Sequence, residues 1–150
     1  MSCKQEQGMT VIVKTVTRLT VGLVFLYGIF IVLNGHLTPG GGFAGGVIIA
    51  LAFINLVLAF GRKAAAKIAT ESGASLLEAL GAIMFISIAL LGLNWGGFFE
   101  NFLPLGTPFR ILSAGTIPLS NIAICLKVGA GLFGIFLTII ILMKSESEKK

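Results

Sequence analysis

The chain has 150 residues, of which 11% are charged and 56% belong to the apolar set, with 20 glycines besides and a mean hydropathy of +1.02. An average soluble domain carries about 25% charged residues, so a water-soluble fold would lack the polar surface to cover itself. Disorder, nucleic-acid binding and a disulfide framework are excluded on the same composition, and the net charge of +5 lies at the ends of apolar runs rather than in a patch.

A hydrocarbon core of about 30 Å needs roughly 20 apolar residues per helix, and only helices satisfy their own backbone there as single segments. The sequence therefore reads as an all-α membrane protein with four transmembrane helices in a membrane domain over 13–143. A short N-terminal extension (1–12) precedes it and a solvated tail (144–150) follows. Span one covers 15–33, with Arg18 near its start. The stretch NGHLTPGGG follows it instead of a small-x-small cleavage site, so the reading is a retained helix and not a signal peptide.

In that stretch Pro39 fixes φ and the glycines permit positive φ, as a tight outer turn requires. Span two covers 42–60 and carries one amide, Asn55. Gly42, Gly46 and Ala50 recur at i+4, a smooth face that lets another helix approach. Gly41 and Gly45 belong to the same turn-and-packing set, as does Pro118 at the head of span four. Span three covers 75–93, with Glu78 in its first turn. The connector 94–117 contains Trp95, Phe98, Phe99, Phe102, Pro104 and Phe109, and its aromatics are expected at headgroup depth. Span four covers 118–143 and contains Lys127.

Basic residues orient the bundle. Lys4, Lys14 and Arg18 precede span one, Arg62, Lys63 and Lys67 follow span two, and Lys144, Lys149 and Lys150 follow span four. The two opposite loops hold only Arg110. By the positive-inside rule both termini are expected to be cytoplasmic.

Catalytic chemistry finds little material. The chain has no aspartate and one histidine, so neither a Ser-His-Asp triad nor a metal site can be drawn. Gly40 to Gly45 formally match G-x-G-x-x-G, but no strand precedes them and the next helix is a membrane span. No cofactor and no metal are expected, and Cys3 and Cys125 read as free thiols. The sharper signals are ionisable or polar groups in or beside the spans: Lys127, Glu78, His36 and Asn55. A lysine at the bilayer centre costs on the order of 2.5–3.5 kcal/mol on insertion scales. Snorkelling to the headgroups is the competing account, and it is easiest for Glu78 and Arg18. With Glu78 placed one turn from the inner end and Lys127 toward the outer leaflet, the axial gap between them is expected to be about 15 Å. Each then needs its own partner on another chain, and the protein reads as a component rather than a complete transporter.

Three stretches carry a family resemblance: NGHLTPGGGFAGGVI, ENFLPLG and LSAGTIPLSNIAICLKVGAGL. In order and spacing they resemble the small B subunit of the multisubunit Mrp-type (Mnh) monovalent cation/proton antiporter, over about 13–142. Matching positions include His36, Pro39, Gly41, Phe43, Gly45, Gly46, Glu78, Pro104, Gly115, Thr116, Pro118, Asn121 and Lys127. Ala44 departs from the family, which often has Gln there. The resemblance implies a non-catalytic subunit of a prokaryotic cell-membrane complex that exchanges Na+ for H+, packed among other membrane subunits. The same subunit type also occurs in energy-converting hydrogenases and related redox-driven complexes.

Overall fold

The computed structural model describes residues 9–61, 70–106 and 113–147. Four helices occur there: α1 (Val11–Leu33), α2 (Gly41–Phe60), α3 (Glu71–Gly92) and α4 (Ile117–Ser147). Each is long and apolar enough to cross a bilayer. The chain is a multi-pass membrane protein of all-α, four-span architecture. Arg62, Lys63, Lys67 and Arg110, which weigh most in the orientation argument, lie outside the described residues, as do Cys3, Lys4, Phe109, Lys149 and Lys150.

Helices extend beyond their apolar runs wherever the flanking polar residues do not break them. α1 starts at Val11 rather than 15, and α3 at Glu71 rather than 75. At the head of α3 the Thr70 hydroxyl accepts from Gly73 N at 3.2 Å. That side-chain cap meets one of the first-turn donors and draws a polar turn into the helix. In α1 the hydroxyls of Thr15 and Thr20 donate to Val11 O and Val16 O at 3.0 and 2.9 Å, so their polar atoms are satisfied inside the helix. α4 runs on through Ser147, past the expected end at 143, because no glycine or proline interrupts 144–147. Pro118 is its second residue, where a missing N–H costs nothing.

One end of the bundle, the loop end, carries the 34–40 turn and the 93–116 connector; the other is the terminal end. α4 is the spine: α2 packs along one side of it and α3 along another, while α1 leans on α2 and only grazes α4. α3 is held by α4, away from the α1–α2 pair. The tightest apolar cluster is Val57 with Phe133 and Leu137, flanked by Phe53, Ile54, Phe136 and Ile140. Rings of Phe25, Phe53 and Phe133 stack through it at centroid distances of 5.7 and 6.0 Å. Large apolar side chains otherwise face outward, among them Leu19, Leu23, Leu26, Ile83, Ile86 and Ile135, as a lipid-facing surface demands. At the terminal end Arg18 stands over the Phe60 ring at 5.3 Å, a cation–π contact that joins α1 to α2.

The loop-end connector folds back on α3 and α4. Phe99 adopts φ 63°, a strained value for a bulky residue. Its N–H donates to Ala89 O at 3.3 Å, and its ring packs on Phe85 and Phe98 at 5.2 and 5.0 Å. Asn101 Oδ1 accepts from Thr116 N at 3.0 Å and from Leu103 N at 3.3 Å, latching the connector to the start of α4. Asn101→Ala is expected to lower stability by about 1 kcal/mol and to expose the connector to limited proteolysis, read as a cleavage rate in detergent.

Candidate functional site

The 34–40 turn is closed by its own backbone and side chains. Asn34 Nδ2 donates to Phe30 O at 2.9 Å, and Asn34 O accepts from Leu37 N, Thr38 N and Thr38 Oγ1. Gly40 and Gly41 then take φ 141° and 72°, values that L side chains rarely adopt, and α2 begins. Pro39 is exposed at the tip of the turn and His36 is half-buried within it.

The glycines of α2 divide between two neighbours. On one side, a Cβ at Gly45 would stand 3.0 Å from Gly28 O, and one at Gly28 would stand 2.7 Å from Ile49 Cγ1; α1 and α2 cross backbone to backbone there. On the other, Gly42 lies against the backbone of Asn121 and Gly46 against Cys125, with Gly129 one turn further on. Gly42 N donates to Asn121 Oδ1 at 3.2 Å, so an α4 side chain meets a first-turn donor of α2. The Asn121 Nδ2 atom is buried without a hydrogen-bond partner among the described residues. The sequence reading gave Asn121 no role of its own. The signal available was the i+4 series Asn121, Cys125, Gly129, which mirrors Gly42, Gly46, Ala50.

Glu78 and Lys127 are far closer in depth than the sequence suggested. A Cβ at Gly81 would stand 2.7 Å from Lys127 N and 2.8 Å from Ala123 O. One at Gly131 would stand 3.4 Å from Glu78 Cδ, and one at Gly134 3.6 Å from Ala74 Cβ. In this antiparallel register Lys127 is level with Gly81, three residues from Glu78, so the two residues differ by about 4.5 Å of rise instead of 15 Å. The earlier helix starts account for the correction. Glu78 is seven residues into α3 and Lys127 ten residues into α4, about 10 and 15 Å from opposite ends.

Because Cα–Cβ bonds tilt toward the helix N-terminus, Glu78 leans to the terminal end and Lys127 to the loop end. Both side chains are exposed on the α3–α4 face of the isolated chain. The carboxyl enters a groove of about 530 Å³ whose lining includes Ser75, Gly131, Gly134, Ile135 and Thr138. A second groove, about 340 Å³ and almost wholly apolar, opens between α3 and the α1–α2 pair, over Cys125 and Gly129. Asn55 is exposed on α2 and His36 lies in the loop-end turn; neither joins Glu78 and Lys127. No group of three His, Cys, Asp or Glu side chains among the described residues could hold a metal.

Residues 12–134 match the model of a domain related to the MnhB subunit of the Na+/H+ antiporter. The chain belongs to this MnhB-related family. An uncharacterised protein of Methanocaldococcus jannaschii is 42% identical over 117 residues, which are 73% of this chain and 44% of that protein. A Staphylococcus aureus protein named as an mnhB2 antiporter subunit is 46% identical over 50 residues, 33% of this chain and 36% of its own. Among solved structures, the membrane-bound sulfane sulfur reductase, an archaeal respiratory membrane complex, contains a chain similar at a TM-score of 0.71 and 31% identity. That match covers 90% of this chain and 62% of the other. This MnhB-related chain thus spans less than half the length of either curated relative. Its fold is shared between an antiporter-type family and a redox-driven membrane complex.

Proposed function

We propose that the chain is a membrane subunit of a redox-driven, ion-translocating complex of the prokaryotic cell membrane, non-catalytic in itself. The likeness to a chain of the sulfane sulfur reductase complex, over nine-tenths of this chain at 31% identity, carries the reading. Both termini lie on the cytoplasmic side, supported by the basic residues that flank spans one, two and four. The α3–α4 face then turns Glu78 and Lys127 toward neighbouring subunits, and Lys127 sets the local field near the path of Na+ or H+. A fixed ammonium in low dielectric repels cations strongly.

A second reading, a subunit of a Na+/H+ antiporter without redox partners, is supported by the family match over residues 12–134. Purifying the complex from native membranes through a tag on this chain separates the two. Iron–sulfur or nickel subunits in the preparation support the redox host; an assembly of ion-transport subunits without them overturns it. Lys127→Met is expected to lower ion movement in vesicles severalfold at unchanged complex yield, and unchanged transport would remove Lys127 from the path.

A further inference from the structure

The terminal-end half of the α3–α4 seam combines a shape and a charge. The groove holding Glu78 has a volume of about 530 Å³, and its α4 floor is glycine: Gly131 lies under the carboxyl and Gly134 under Ala74. Ser75 and Thr138 stand in its lining. The Thr138 hydroxyl donates to Gly134 O at 3.0 Å, which leaves its oxygen free to accept from an incoming donor. Glu78 falls within the apolar span Ser72–Gly92, about 10 Å from the first residue of α3. No side chain among the described residues forms an ion pair with it. Lys127, one turn away, leans in the opposite direction. An ionised group at such depth is costly unless it is paired.

We propose that this groove seats a transmembrane helix of a neighbouring subunit that presents a lysine or arginine to Glu78. The proposal rests on the reading of the chain as a subunit of a larger membrane complex, and it names the chemistry of the partner. Charge complementarity selects the occupant. A lipid acyl chain brings no donor to the carboxylate. A second copy docked by the same face about a two-fold axis brings carboxylate against carboxylate. A basic helix supplies the counter-charge, and the glycine floor admits its backbone closely, as small residues do in membrane interfaces.

The test is made on the intact complex in native membranes. A photo-crosslinking residue in place of Ile135, on the groove wall, is expected to capture another subunit's helix within one turn of a Lys or Arg. Glu78→Gln is expected to cut recovery of the complex in detergent about tenfold or more, since removing one partner of a buried pair strands the other. Gly131→Leu is expected to do the same with the carboxylate intact. Glu78→Lys combined with Glu in place of the captured basic residue is expected to restore recovery. Capture of lipid alone, of a second copy, or of a helix with no basic residue overturns the proposal, as does full recovery with Glu78→Gln. The copurifying subunits identify the host, whereas the captured residue reports the docking, so failure of one is distinguishable from failure of the other.

Discussion

Replacing Gly42 with leucine is expected to abolish recovery of a monodisperse, folded subunit. A side chain at this position meets the carbonyl oxygen of Asn121, with Asn121 Cα and C at 2.9 Å from its Cβ. These are backbone atoms of a helix and cannot rotate aside, so α2 and α4 must separate along the seam that continues through Gly46 and Cys125. Overpacking a fitted interior costs about 1–3 kcal/mol where the neighbours can yield, and here they cannot. Separation also breaks the Gly42–Asn121 hydrogen bond. Size-exclusion chromatography in detergent reads the outcome. The control is Gly22→Leu, where an added Cβ meets nothing within 4 Å; it is expected to elute as the wild type does.

Asn121→Leu is the second large effect. The substitution keeps the volume of the seam roughly constant and removes the acceptor of Gly42 N–H, a donor in the first turn of α2 with no intrahelical partner. An unmet buried donor costs about 1–3 kcal/mol; the substitution also removes the unpartnered Asn121 Nδ2, which returns part of that cost, so a net loss of about 1 kcal/mol is expected, lowering Tm by roughly 2–4 °C. Thermal unfolding followed by intrinsic fluorescence or light scattering in detergent checks it. An unchanged Tm would show that the bond is fully offset by the unpartnered Nδ2 and that glycine packing is what holds α2 to α4.

The four spans were legible because lipid imposes one simple requirement, about 20 apolar residues in a row, and the chain meets it four times. Depth was harder to read. Glu71, Ser72 and Gly73 look like loop, yet the Thr70 cap makes them the first turn of α3, which places Glu78 seven residues into the helix instead of in its first turn. Counting from the apolar residues alone put the two charges about three times too far apart. The role of Asn121 is hidden for a different reason. A lone amide in an apolar run looks the same whether it faces outward, as Asn55 does, or accepts from a neighbouring helix. What separates the two is the match between its i+4 series and the glycine steps of α2, a relation between segments that no single span displays. The motifs disclosed the family, but not its host, because the chain is similar both to an antiporter subunit's domain and to a chain of a respiratory membrane complex.

The bond between Gly42 and Asn121 joins residues 79 apart in sequence, and that separation has a consequence for biogenesis. At about 5–20 residues per second, the ribosome needs roughly 4–16 s after finishing the α2 start before Asn121 even exists. During that interval the α1–α2 pair has no α4 against its glycine flank, and α3 is made before the helix that holds it. The seam between α2 and α4 therefore closes only after α4 itself has been made, and until then the amide of Gly42 lacks its acceptor.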